Sequence, residues 1–129
     1  MSKSAYLEQL NSSVRGKDEE RCAVLQMKGF TIYIGANALS NEKLLSGHRH
    51  HPECLVFHAF GAKGSYVVLC SPDPTKFNDE IIRYSAETSL RHSRSELRSV
   101  TYGFLKDIYK PEDAPIGVFK WASSGVMEL

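Results

Sequence analysis

The stretch that decides the fold is residues 22–34, CAVLQMKGFTIYI, in which two apolar runs flank Lys28 and Gly29. Glycine supplies the positive φ that a tight hairpin turn needs, and the second run is rich in β-branched and aromatic residues. We therefore predict two strands joined by a tight turn. Residues 55–59 and 66–70 are short, dense apolar runs typical of buried strands, and a glycine-bearing loop separates them.

Helical patterns alternate with these predicted strands along the chain. Residues 38–45 indicate one or two helical turns, and Asn78 or Asp79 would cap a longer helix that runs to about Ser95. Further short strands are predicted at 100–102, 117–121 and 126–129. The predicted class is α+β: a single mixed or antiparallel sheet with helices packed on it.

The first twenty residues are predicted to form an extension of this domain. Their apolar positions fall on one helical face, and Gly16 would end the helix: Leu7, Leu10 and Val14. We divide the chain into a helical extension and linker at 1–20 and a domain at 21–129. The apolar face of the extension is a candidate docking surface for a protein partner or a second copy.

Composition narrows the class of protein. At 129 residues, with 42% hydrophobic and 24% charged residues, the chain is typical of one globular domain. Its net charge of +1 creates no overall field for a polyanion, so a nucleic-acid surface would need local charge placement. No apolar run is long enough to span a membrane, and no secretory segment is recognised. We expect Cys22, Cys54 and Cys70 to be reduced thiols in a cytoplasmic protein.

Motifs for catalysis and cofactors are weak. Ser65 follows Gly64 but lacks the Gly-x-Ser-x-Gly elbow, and no phosphate-cradling GxxxxGK[ST] loop occurs. Histidines cluster in residues 47–54, with His58 four residues on, which is chemistry compatible with zinc. Their spacing matches no closed structural zinc site, and solvated loop histidines are the simpler interpretation. We predict no enzyme activity, no metal and no cofactor, with a metalloprotein as a remaining alternative.

An ordered set of short motifs resembles the NFACT-R domain, the RNA-binding module of NFACT proteins. Gly29-Phe30-Thr31-Ile32 precedes the first motif, residues 35–42, as in that family; Glu53 to His58 and Gly64 to Val68 match the next two. An Ala/Ser-rich helix with a basic end and a Val-x-Tyr strand complete the match over roughly 21–129. Ala36, Val56 and Tyr66 stand where the family usually has Arg, Trp and His. The resemblance implies an RNA-binding function near tRNA, the ribosome and quality control of stalled nascent chains.

Basic side chains offer a candidate RNA surface. Residues 91–110 carry two acidic residues and five basic ones: Arg91, Arg94, Arg98, Lys106 and Lys110. Interleaved aromatics would stack an unpaired base, while the cations would bind phosphates; a solvated helix end is the plainer alternative. The resemblance adds four candidates, although turn or core roles also explain them: Asn37, Asn41, His58 and Ser65. We therefore expect a non-enzymatic binder of RNA (tRNA or ribosomal) or of a ribonucleoprotein, and, as the alternative, a protein–protein interaction module.

Overall fold

A computed structural model describes residues 22–46 and 51–129. Within these ranges the strands are β1 Cys22–Met27, β2 Phe30–Gly35, β3 Leu55–Ala59, β4 Val67–Cys70, β5 Ser99–Phe104, β6 Ile108–Tyr109, β7 Lys120–Trp121 and β8 Gly125–Glu128. The α-helices are α1 Ala38–Ser46 and α2 Asp79–Arg91, and two 3-10 helices occupy Pro74–Lys76 and Leu105–Asp107. The predicted extension and linker at 1–20 lie outside the described residues.

The main sheet is antiparallel throughout, in the order β1-β2-β4-β3-β5-β8, and β6 and β7 form a small separate ribbon. The α+β class with an antiparallel sheet is confirmed. The predicted first hairpin pairs Met27 with Phe30. Its two turn residues, Lys28 and Gly29, have φ values of 51° and 86°. Both are left-handed, as the hairpin turn that matches strand twist requires.

Each face of the sheet is covered by a different layer. Side chains from alternate strand positions, such as Ile32, Phe57 and Leu69, pack under α2 on one face. On the other face, Val56 and Val68 pack with the apolar side of α1 and with Phe119 from the C-terminal segment. Because successive strand residues point to opposite faces, the dense apolar runs can supply both cores at once.

The second helix is shorter than the sequence predicts. Asn78 caps it by accepting a hydrogen bond from the N–H of Ile81, but the helix ends at Arg91 and not near Ser95. The chain then leaves the helical path, because Ser93 forms an antiparallel bridge with Gly64. Pairing with a distant segment outweighs local helical preference here.

The C-terminal segment also departs from its predicted form. Only Lys120–Trp121 of the predicted strand 117–121 is a strand, and it belongs to the small ribbon. Gly117 has a φ of +83° and lies directly on the first residue of α1, where an added Cβ would be 2.9 Å from atoms of Ala38. The left-handed backbone and this close approach both require glycine and interrupt the extended path.

The expectation of three reduced thiols is wrong for two of them. Cys54 and Cys70 form a disulfide, with Cα atoms 4.7 Å apart. Leu55 pairs with Leu69 in the β3–β4 register, which places the two cysteines opposite each other just beyond that pair. The sequence separation of 16 residues does not reveal this neighbourhood, because it depends on the strand register. Cys22 is not part of a disulfide.

Candidate functional site

A cleft of about 550 Å³ opens where α1 begins, beside the end of β3 and the loop that leads into β4. Four of the residues that the sequence predicts as site candidates line it: Asn37, Asn41, His58 and Ser65. The cleft is bounded on another side by residues 116–119. The structure thus brings together residues that lie up to 28 positions apart in the sequence (65 minus 37).

Asn37 begins α1. Its side-chain oxygen accepts a hydrogen bond of 2.9 Å from the N–H of Ser40. In return, the Ser40 hydroxyl accepts hydrogen bonds from the N–H groups of Asn37, at 2.9 Å, and Ala36, at 2.7 Å. This reciprocal cap satisfies N–H groups that a helix start leaves without partners, and it holds the cleft's edge in place.

Asn41 is 6% exposed and connects α1 to the neighbouring loop. Its side-chain oxygen accepts from the N–H of Tyr66 at 3.2 Å, and its amide nitrogen donates to the carbonyl of Gly64 at 3.4 Å. A Cβ at Gly35 would lie 1.9 Å from the Asn41 oxygen, so glycine is required for this approach. The spacing of Gly35, Asn37 and Asn41 in the first motif therefore has a structural explanation that needs no ligand.

Two imidazoles face the cleft. His58 projects from β3, and its ring centroid lies 4.3 Å from that of Tyr66. Burial lowers the pKa of His58, and hydrogen bonds to the backbone of Gly64 and Ala59 oppose this only in part. Burial, and then the charge of Arg91, lower the pKa of His92 as well. Both rings are consequently neutral at pH 7, where they donate and accept hydrogen bonds without adding charge.

Ser65 and Lys63 carry polar groups that the rest of the described chain leaves unsatisfied. Ser65 is 8% exposed, and its hydroxyl makes no hydrogen bond with any part of the chain that the structure describes. Lys63 makes no ion pair within the same residues. No Asp or Glu occurs among the described residues that line the cleft. The described lining of the cleft therefore presents positive charge and unsatisfied polarity without a competing carboxylate.

The wall formed by residues 115–119 is held by an ion pair. Glu42 of α1 accepts hydrogen bonds from Lys110, at 2.7 Å, and from the N–H of Gly117, at 2.8 Å. Lys110 also donates to the carbonyls of Pro115 and Val118 and lies over the ring of Phe119. With its donors used internally, Lys110 positions this wall and is not placed to bind a phosphate.

The other predicted cations occupy three separate places. Arg91 and Arg98 border a groove of about 300 Å³ on the α2 side, together with Glu87 and Glu96. Arg91 donates to the hydroxyl of Thr88 and lies over Tyr84, and Arg98 donates to the carbonyl of Leu129. Lys106 pairs with Glu53 at 3.1 Å. The five cations therefore do not form one continuous patch.

Arg94 lies beside the cleft. Its N–H donates to the carbonyl of Lys63, so the bridge between Gly64 and Ser93 brings the two cations to one corner. The sequence reasoning missed Lys63 and His92, because their proximity to the cleft depends on this bridge. The proximity of Glu42 and Lys110 was also missed, because 68 positions separate them in the sequence.

The histidine-rich loop is described only in part. His51 is exposed, and its ring nitrogen accepts from the N–H of Glu53 at 3.0 Å. Over residues 22–46 and 51–129, no cluster of three His, Cys, Asp or Glu side chains is arranged to hold a metal ion. Within the same ranges, no helix is sufficiently long and apolar to cross a bilayer.

Comparisons with known proteins support the fold alone. No family model and no curated protein matches the chain. A solved structure, the C-terminal region of the fibronectin/fibrinogen-binding protein from Streptococcus suis, matches with a TM-score of 0.73 and 24% identity. The match covers 89% of this chain and 46% of that one, so the present chain spans under half of its length. This likeness shows a shared α+β architecture.

Proposed function

We propose that this chain is a non-enzymatic RNA-binding domain, and that it binds RNA at the corner formed by the cleft and the end of α2. Arg91 ends α2 next to His92, which lines the cleft. The observation that carries the proposal is the convergence of Lys63 and Arg94 at this corner, without a carboxylate partner in the described residues. They adjoin a cleft whose described lining lacks Asp and Glu.

Single-stranded RNA supplies the groups that this corner would satisfy. Phosphates would lie near the cations, and an unpaired base would enter the cleft beside the neutral imidazoles. The net charge of +1 means that the attraction is local. We expect binding to weaken with salt, because the cations release counterions from the phosphates.

The resemblance to the NFACT-R domain supports RNA as the partner and suggests its setting. It leads us to propose tRNA or ribosomal RNA, and a role in translation quality control. We also propose a cytoplasmic location, in keeping with that role. The Cys54–Cys70 disulfide is the opposing observation, since disulfides are rare in reducing compartments.

Fluorescence anisotropy with labelled tRNA and with a random single-stranded RNA, at two salt concentrations, tests the proposal. The variant is Arg91→Glu with Arg94→Glu, in which no ion pair of the described residues is broken. If each arginine contacts one phosphate, removing both lowers the slope of log affinity against log salt by about 1.4 for a single strand. We expect binding to be lost at moderate salt.

A matched control reverses two charges at the opposite end of the sheet, Lys28→Glu with Lys76→Glu. The ion pair that Lys28 makes with Glu80 is exposed and contributes little to stability. This control should bind RNA nearly as well as the unchanged protein. Thermal unfolding checks that both variants are folded. Equal RNA affinity of the folded arginine variant and the folded control would refute the proposed surface.

A protein–protein interaction module is the second candidate. Ile116 and Val118, which border the cleft, are 60% and 45% exposed. Exposed apolar side chains beside a cleft are typical of binding surfaces. A partner that stays bound at high salt would favour this function over RNA binding, because apolar contacts are not screened.

A further inference from the structure

Building on the proposed RNA binding, we infer that the cleft is a binding site for one phosphorylated nucleotide. Its phosphate lies at the first turn of α1 beside Ser65 and Lys63, and its base lies against Ile116 and Val118. The ligand class is a nucleoside monophosphate unit, either free or as the unpaired end of an RNA strand.

The start of α1 provides the phosphate end. Ala36, Asn37 and Ala38 line the cleft, and α1 extends over nine residues from there. The Asn37–Ser40 cap leaves the N–H groups of Ala38 and Leu39 without an acceptor in the described residues. Such N–H groups, together with the positive end of the helix dipole, favour a bound phosphate.

Ser65 gives an independent indication of a ligand. Its hydroxyl is buried in the cleft lining, yet it makes no hydrogen bond in the described parts of the chain. Burying a hydroxyl without a partner is unfavourable, so a bound acceptor oxygen would stabilise it. The adjacent Lys63, which makes no ion pair, would supply the opposite charge.

Both loops of the cleft are attached to the same end of α1. Asn41 holds the Gly64–Tyr66 loop through two hydrogen bonds, which places Ser65 beside the helix start. Gly117 lies on Ala38, and its N–H is held by Glu42. The apolar side chains that flank Gly117 therefore stand next to the proposed phosphate position.

The combination favours an amphipathic, negatively charged ligand. One side of the cleft offers N–H groups, a hydroxyl and an ammonium, and the other offers the exposed aliphatic side chains of Ile116 and Val118. A volume of about 550 Å³ lies within the range of small-ligand sites and accommodates one nucleotide. Inorganic phosphate or a nucleoside alone would satisfy only one side.

The test is an NMR titration of ¹⁵N-labelled protein with AMP, with adenosine and with inorganic phosphate. We expect AMP to shift the backbone amides of Ala38, Ser65 and Gly117, and to bind more tightly than either part. Ser65→Ala should weaken AMP binding about fivefold, the loss of one hydrogen bond. Lys63→Gln, an exposed change that does not perturb the core, should also weaken it, whereas the control Lys76→Gln should not.

Two results would refute the nucleotide-binding site: absence of AMP-dependent shifts at these amides, or AMP affinity unchanged by both Ser65→Ala and Lys63→Gln. RNA anisotropy on the same variants separates this failure from that of the proposed function. RNA binding that is lost in the Arg91 and Arg94 variant but unchanged by Ser65→Ala would support the RNA-binding function and refute the nucleotide-binding site. AMP binding at the cleft without any RNA binding would support the nucleotide-binding site and refute the RNA-binding function.

Discussion

Replacing Glu42 with glutamine removes one charge from the pair that holds the cleft wall and leaves its shape. The Glu42 side chain is 22% exposed and that of Lys110 is 30% exposed, so this pair is more buried than a typical surface bridge. Glutamine would still accept the hydrogen bond from Gly117. The loss is the difference between charge-assisted and neutral hydrogen bonds, about 1 kcal/mol. For a domain of this size, that lowers the melting temperature by about 4 °C.

The effect should depend on pH in a defined direction. Burial by itself would raise the pKa of Glu42, but hydrogen bonds from Lys110 and Gly117, with the Lys110 charge, bring it below the ordinary 4.5. A carboxyl whose pKa is lower in the folded state stabilises the fold above the unfolded-state pKa. The stability difference between the protein and Glu42→Gln should be full at pH 7 and should shrink as the pH falls below 4.5 through the folded-state pKa.

Urea unfolding at a series of pH values measures this difference. Hydrogen exchange of the Gly117 amide should also quicken in Glu42→Gln, because the wall is less firmly held. The matched control is Glu80→Gln, whose pair with Lys28 is exposed and should change stability little. A stability difference that is absent at pH 7, or that stays constant down to pH 3, would refute the role of the Glu42 charge.

Two further predictions concern the sheet and the first motif. Thiol titration of the unreduced, denatured protein should find one reactive cysteine of three. Reduction of the Cys54–Cys70 disulfide should lower the free energy of unfolding by about 3 kcal/mol. Three reactive thiols before reduction would contradict the pairing. Gly35→Ala should lower the melting temperature strongly, because its Cβ would lie 1.9 Å from the Asn41 side-chain oxygen. Adding Asn41→Ala should partly restore the melting temperature. Equal stability of Gly35→Ala and the unchanged protein would show that the backbone shifts to relieve this contact.

Local pattern was sufficient for most of the fold. The hairpin at 22–34 was predictable because turn chemistry and strand propensity act between neighbouring residues. The start of α2 was predictable as well, since Asn78 caps a helix through atoms three residues away. Its end was not, because the bridge between Gly64 and Ser93 joins segments that have no shared local signal.

The candidate site divides in the same way. Asn37, Asn41, His58 and Ser65 were identified from the residues that resemble a known family, and the structure collects them in one cleft. The cations at 91–110 were identified as charges, but their dispersal over separate places was not foreseeable from spacing along one helix.

The sequence by itself determined most of the segments that become strands and helices, and which residue types are available for chemistry. The tertiary structure alone decided which of them meet: Cys54 with Cys70, Glu42 with Lys110, and Lys63 with Arg94. The physical reason is that local propensity acts over a few bonds, whereas strand register and loop packing join residues far apart in the chain. The cleft, and the function we propose for it, arise from those long-range contacts.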